Sequence, residues 1–178
     1  MIRPQLLALA VLVAVALALP PQNPIIGVYT EDAEDFGQKP QPQQTYIAAS
    51  YIKNLEMAGA QVIPLYYHYS HAQLESLLGK LNGVYFPGGE MPIDSGNQWT
   101  SNIAFIFDYA NRQNKAGNPY PIWATCLGFE AVLYLHSGRK DNSTVLTEVF
   151  GQKGLPCPLS VKSSNSALLK ALTTDEYQ

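Results

Sequence analysis

One cysteine is well placed to act as a nucleophile. Cys126 follows the apolar run Ile122–Ala124 and precedes a helical pattern. Ala124 and Gly128 supply the small side chains that a sharp nucleophile elbow needs two positions before and two after the nucleophile. Such a turn lifts the sulfur above a sheet at a helix N-terminus, where the helix dipole and free N–H groups favour the thiolate. The pattern predicts a thiol nucleophile, with the N–H group of Leu127 placed to receive an oxyanion.

The sequence also allows structural roles for this cysteine. Cysteines are among the most buried residue types, and the chain has one other, Cys157, with which Cys126 could form a disulfide. Two cysteines are too few for the dense framework of a small disulfide-stapled domain. The place of Cys126 between a strand and a helix favours the nucleophile, but a disulfide stays open.

A second candidate element is the turn Pro87-Gly88-Gly89, which follows another apolar run. Paired glycines let the backbone approach a ligand closely and present N–H groups where a carbonyl oxygen gains charge. Gly88 and Gly89 are therefore candidates for the second half of an oxyanion hole. The alternative is a plain tight turn, which Pro-Gly-Gly makes without any function.

Strands alternate with helices along the chain. In order, the pattern predicts a strand at 25–29, a loop at 31–44, a helix at 45–58 closed by Gly59, a strand at 61–65, a helix opened by a Ser70/Gln73 capping box and closed by Gly79, a strand at 83–86, a helix at 102–114, a strand at 122–124 and a helix at 165–172. This alternation is typical of an α/β fold with a mostly parallel sheet covered on both faces. Its functional loops lie at the carboxyl ends of the strands.

The N-terminus reads as a targeting segment. Arg3 supplies a positive charge, residues 6–17 are apolar, and Ala16-Leu17-Ala18 fits a cleavage site. We predict a signal peptide at 1–18, a mature chain from Leu19 and no stable membrane anchor, because the apolar run is short for a membrane span. A secretory-pathway location follows from this prediction.

Composition limits the remaining choices. Residues 19–178 suffice for one domain, and a net charge of -3 without charged blocks argues against nucleic acid as a partner. The sequon at Asn142 predicts glycosylation. No phosphate-binding loop of Ser, Thr or Gly follows the first strand, which argues against a flavin, and we expect no cofactor and no metal.

Several separated motifs, in the same order, resemble the gamma-glutamyl hydrolase family, the folate polyglutamate hydrolases of the class I glutamine amidotransferase-like superfamily (peptidase family C26). The likeness spans residues 24–138 and rests on Pro24-Ile25-Ile26-Gly27, Tyr46-Ile47-Ala48-Ala49-Ser50-Tyr51, Leu55-Glu56, Ala58-Gly59-Ala60, Asn82-Gly83, Phe86-Pro87-Gly88-Gly89 and Thr125-Cys126-Leu127-Gly128-Phe129-Glu130. The resemblance implies a flavodoxin-like three-layer α/β sandwich. It also implies a cysteine peptidase that cuts gamma-glutamyl bonds of folyl or antifolyl poly-gamma-glutamates in the lysosome, the vacuole or outside the cell, and it leaves a homodimer open.

The resemblance also assigns residues. Cys126 falls on the family's nucleophile, and Gly88, Gly89 and Leu127 fall on its oxyanion region. Tyr51 and Glu130 fall on positions that line the family's site. Packing in a helix face is an equal alternative for Tyr51, and Glu130 could equally be a first-turn carboxylate favoured by the helix dipole.

Two departures from the family stand out. The family completes its triad with a later histidine and glutamate, and the sequence up to Gln178 lacks them, so we expect the C-terminal part of the fold to be missing and 19–178 to be a partial domain. Ala124 replaces the usual glycine, a change that the elbow should tolerate.

The three histidines of the sequence do not replace the missing one. His68, His71 and His136 are expected to lie on the surface or in packing contacts. A catalytically inactive paralogue that binds glutamyl ligands is therefore the alternative function.

Overall fold

The structure, a computed structural model, describes residues 23–33, 44–94, 96–139 and 145–146. The predicted signal peptide, the sequon at Asn142, Cys157 and the predicted helix at 165–172 lie outside these ranges. The strands are β1 (Ile25–Tyr29), β2 (Glu31–Asp32), β3 (Thr45–Tyr46), β4 (Gln61–Leu65), β5 (Gly83–Phe86) and β6 (Ile122–Ala124). The helices are α1 (Ala49–Met57), α2 (His71–Leu78), α3 (Gln98–Lys115) and α4 (Leu127–His136).

The main sheet is parallel, as predicted, with the strand order β4-β1-β5-β6. Its register pairs Phe86 at the end of β5 with Ala124 at the end of β6. Parallel strands that are neighbours end at the same edge of a sheet. The turn after β5 and the cysteine after β6 are therefore brought side by side by the register alone.

Helices cover both faces of this sheet, which confirms the predicted α/β architecture. Successive side chains of a strand point to opposite faces, so Phe86 and Tyr85 face different layers. Phe86 lies in the apolar core together with Ile103 of α3 and Leu127 of α4. The ring of Tyr85 contacts Tyr51 of α1 on the other side, at 5.5 Å between centroids.

The predicted start of the first helix was wrong. Thr45 and Tyr46 do not begin a helix but pair with Asp32 and Glu31 in a two-stranded antiparallel sheet, and α1 begins only at Ala49. A β-branched and an aromatic residue favour extended backbone when a partner strand is available. The same pairing makes part of the predicted loop at 31–44 a strand.

The capping signals show where the following helices begin. Ser70 and Gln73 form the predicted capping box of α2, which ends at Gly79. For α3 the prediction began too late, at residue 102, because the true cap is Asn97, whose side chain accepts a hydrogen bond from the Thr100 N–H group at 2.6 Å. The first turn of α3 therefore carries residues that the apolar spacing did not include.

The start of α3 ties the loops at the carboxyl edge together. The Trp99 indole donates to the Thr30 carbonyl at 3.2 Å, and the Tyr29 hydroxyl donates to the Trp99 carbonyl at 3.0 Å. Burial raises the pKa of Tyr29 well above its ordinary value, and the neighbouring Tyr67 raises it further, so this phenol stays protonated and able to donate.

Among the described residues, no helix is long and apolar enough to cross a membrane.

Candidate active site

Cys126 occupies a strained elbow between β6 and α4. Its backbone has φ 51° and ψ -119°, a region that residues with a Cβ rarely adopt and that costs about 1–3 kcal/mol. Hydrogen bonds of 3.0 Å from Thr125 N to Phe86 O and from Gly128 N to Pro87 O hold this conformation. The cysteine side chain is exposed. The elbow geometry is confirmed, and the alternative of a buried cysteine is wrong.

Gly88 touches the nucleophile candidate directly. A Cβ atom on Gly88 would lie 2.8 Å from Cys126 Cβ, 3.4 Å from its sulfur and 2.7 Å from the Tyr51 hydroxyl. A glycine is needed here because no side chain fits between these three groups. The structure therefore brings Gly88, Cys126 and Tyr51 together, as the sequence analysis grouped them.

Gly128 allows the helix to pack closely against β5. A Cβ atom at this position would lie 2.2 Å from the Phe86 carbonyl oxygen, a backbone atom that cannot move aside. Ala124, by contrast, keeps its regular pairing with Phe86. The elbow thus depends on a small residue after the cysteine and tolerates alanine before it.

Two tyrosines connect α1 with the strand end that carries the cysteine. Tyr51 and Tyr85 meet edge to face, and the Tyr85 hydroxyl lies 2.9 Å from the Thr125 hydroxyl. Burial raises the pKa of Tyr85, while the hydrogen bond to Thr125 lowers it and the nearby Tyr51 raises it. Tyr51 both packs against the sheet and places its hydroxyl at the candidate site. Sequence reasoning missed Tyr85 and placed Thr125 in the cysteine motif without a role, because the contact of their hydroxyl groups depends on the β5–β6 register.

The first turn of α4 carries the two remaining candidates. Leu127 is the first residue of the helix, so its N–H group is one of the donors that have no acceptor within a helix. Glu130 lies in the same turn with an exposed side chain, and its N–H group donates to the Cys126 carbonyl at 3.0 Å. Their positions are compatible with the roles assigned from the resemblance, which stay predictions.

Glu31 is a site neighbour that sequence reasoning missed. It was assigned to a polar loop, yet it is almost completely buried in β2 and accepts a hydrogen bond from the Glu90 N–H group at 3.2 Å. No local pattern marks a buried carboxylate in a two-residue strand. The signal that could have pointed to Glu31 is its position two residues after the end of β1 at Tyr29, because functional residues of such folds follow the carboxyl ends of the strands.

Within the described ranges, the three histidines of the chain do not contribute a hydrogen bond to the candidate site. His71 stacks on Phe105 at 4.3 Å, and His68 stacks on Tyr66 at 5.5 Å. His136 ends α4, ten residues beyond Cys126, or about 15 Å along the helix axis at about 1.5 Å per residue. Within the part of the chain that the structure describes, no histidine hydrogen-bonds to the cysteine.

The part of the chain that forms this site matches a known protein family. The family model described as Peptidase C26 matches residues 24–140, which include all the described candidates. The chain belongs to the peptidase C26 family. The match ends just beyond α4, so it covers the same strands and helices from which the site is built.

Curated relatives agree with this family. The chain is 36% identical to gamma-glutamyl hydrolase of Mus musculus over 86% of its own length and 47% of the relative's. It is 32% identical to gamma-glutamyl hydrolase B of Dictyostelium discoideum, over 82% of this chain and 40% of that one. Gamma-glutamyl hydrolase 1 of Arabidopsis thaliana is 33% identical over 67% of this chain and 34% of the relative. The chain spans less than half the length of these C26 relatives.

Proposed function

We propose that this C26 chain is a cysteine hydrolase that cleaves gamma-glutamyl bonds through an acyl-enzyme on Cys126. The observation that carries the proposal is the contact between the exposed, strained Cys126 and Gly88 of the neighbouring turn. Acyl transfer requires a nucleophile beside backbone N–H groups that can stabilise an oxyanion, and the Gly88-Gly89 turn is proposed to offer them. The names of the relatives indicate the bond that is cut.

Attack begins with the Cys126 thiolate. Its sulfur forms a bond to the gamma-amide carbonyl carbon, and the electron pair of the carbonyl moves onto oxygen. The N–H groups of Gly88, Gly89 and Leu127 stabilise this oxyanion until the carbon–nitrogen bond breaks and the amine leaves with a proton. Water then cleaves the thioester. The described residues are proposed to supply the nucleophile and the oxyanion donors of this reaction, and the group that protonates the leaving amine during acylation is not among them.

The proposed substrates are folyl or antifolyl poly-gamma-glutamates. In such chains each scissile carbonyl belongs to a glutamyl side chain, so a free alpha-carboxylate accompanies every bond. Tyr51 and Glu130 are proposed to line the path of this chain beside the nucleophile. We propose that the protein acts in the lysosome, the vacuole or outside the cell, after removal of residues 1–18.

The test is hydrolysis of a gamma-linked pentaglutamate of pteroate by the full chain, followed by chromatography of the products. We expect shorter pteroyl-glutamates to appear slowly with the unaltered protein, because no described residue protonates the leaving amine. An alpha-linked pentaglutamate of the same length is the matched control and should stay intact, because its scissile carbonyl lies on a different branch of the residue. Equal cleavage of both peptides would refute gamma-glutamyl specificity.

A second candidate function is binding of glutamyl ligands without turnover. The observation that favours it is that, within the described residues, no histidine hydrogen-bonds to Cys126, while His68 and His71 stack on other aromatic rings. Titration calorimetry with the same pentaglutamate would then show saturable binding, while chromatography shows no product. Product formation at a steady rate would exclude this alternative.

A further inference from the structure

Glu31 packs directly against the glycine turn that faces the nucleophile. Only 2% of this residue is exposed. A Cβ atom built on Gly89 would lie 1.7 Å and 1.8 Å from the two carboxylate oxygens, so the carboxylate occupies the space beside the Gly89 Cα. Its Oε2 atom accepts the hydrogen bond from the Glu90 N–H group. The carboxylate therefore touches two successive residues of the turn.

The turn is consequently held from two sides. On one side, Gly128 N donates to Pro87 O, and Gly88 contacts Cys126. On the other side, the Glu31 carboxylate fixes the turn where it leaves Gly89. Because glycines have wide conformational freedom, two adjacent glycines need such restraints to keep one backbone conformation.

From this contact we propose that Glu31 is a positioning residue for the oxyanion hole. It acts through the Gly88-Gly89 turn and does not touch the substrate. The inference rests on the proposed acylation of Cys126. A hydrogen bond in a buried site of low dielectric is stronger than one in water, so the acceptor oxygen of Glu31 holds the Glu90 N–H group firmly. Donors fixed in advance stabilise an oxyanion without reorganising during the reaction.

Two reagents separate the oxyanion hole from the nucleophile. With p-nitrophenyl acetate, the thiolate sulfur bonds to the carbonyl carbon, an oxyanion forms and collapses, and p-nitrophenolate leaves with the electron pair of the broken carbon–oxygen bond. Its leaving group needs no proton. With iodoacetamide, the sulfur displaces iodide from carbon and no oxyanion forms. The ratio of the two rates therefore reports the oxyanion hole.

The experiment measures both rates for the full chain and for E31A, E31Q and E56A. For E31A we expect the acylation rate to fall about tenfold to a hundredfold, which is no more than the rate loss on removing one oxyanion donor. The alkylation rate should stay unchanged within about twofold. E31Q keeps a side-chain oxygen acceptor of the same reach and should recover most of the acylation rate. The exposed Glu56 on α1 is the matched control, and E56A should behave as the unaltered chain.

Three outcomes would overturn the inference. The acylation rate could stay unchanged in E31A, both rates could fall together as expected from a damaged elbow, or E31Q could be as slow as E31A. None of these depends on polyglutamate as a substrate, because p-nitrophenyl acetate has no glutamyl group. If E31A behaves as expected while the pentaglutamate stays intact, the proposed function fails and the positioning role stands.

Discussion

Replacing Cys126 with alanine is expected to abolish acylation by p-nitrophenyl acetate and to remove the Cys126-dependent hydrolysis of a gamma-linked polyglutamate. Removing the nucleophile of a covalent hydrolase leaves only the catalysis that binding and the oxyanion hole provide. The measurement is the burst of p-nitrophenolate, which should approach one equivalent per unaltered chain and vanish in Cys126→Ala. The alanine keeps the Cβ atom, so the elbow and the helix that follows it should persist.

The control for this prediction is the other cysteine. Cys157→Ser should keep the full burst, because the sequence gives Cys157 no role in the site. A burst of equal size in Cys126→Ala would place the nucleophile elsewhere in the chain. Loss of the burst in Cys157→Ser, with the fold intact by circular dichroism, would contradict the assignment of Cys126 as the only thiol required.

Replacing Gly128 with alanine is expected to destabilise the protein by about 2 kcal/mol and to remove the burst. The new methyl group would lie 2.2 Å from the Phe86 carbonyl oxygen and 2.6 Å from its carbonyl carbon. Overpacking of this kind costs about 3 kcal/mol, and the better helix propensity of alanine returns about 1 kcal/mol. The cost of the clash exceeds the gain in helix propensity, and we expect a melting temperature about 4–8 °C lower in differential scanning calorimetry.

Gly79→Ala is the matched control for that experiment. Gly79 caps α2 with right-handed helical backbone, and an added Cβ would meet nothing closer than the Tyr109 hydroxyl at 3.8 Å. We expect unchanged or slightly higher stability and a full burst from this variant. A melting temperature of Gly128→Ala equal to that of Gly79→Ala would mean that α4 can move away from β5 without cost.

The sequence predicted the elements whose signals are local. Apolar runs marked all four strands of the main sheet, and the capping box at Ser70 placed the start of α2. It failed where a partner distant in the chain decides the structure. Thr45 and Tyr46 carry a helical apolar spacing, but pairing with Glu31–Asp32 makes them extended. Periodicity cannot register such a pairing because the strands involved are two residues long.

The candidate site shows the same division. Cys126, Gly88 and Gly128 follow from turn chemistry that each segment carries by itself, and the β5–β6 register then brings them together. Tyr51 was grouped with them by family resemblance, and the structure places its hydroxyl beside Gly88. Glu31 escaped prediction because its burial arises from the packing of β2 against the turn after β5.

The two tryptophans differ in exposure, so the tryptophan fluorescence of the protein has a buried and an exposed component. Trp99 is 2% exposed and its indole is hydrogen-bonded within the carboxyl edge, whereas Trp123 on β6 is 55% exposed. Soluble quenchers such as iodide reach the second ring and not the first. Since Trp123 lies three residues before the nucleophile candidate, its emission should respond to ligands or modification at the elbow. The emission of the buried Trp99 serves as the reference.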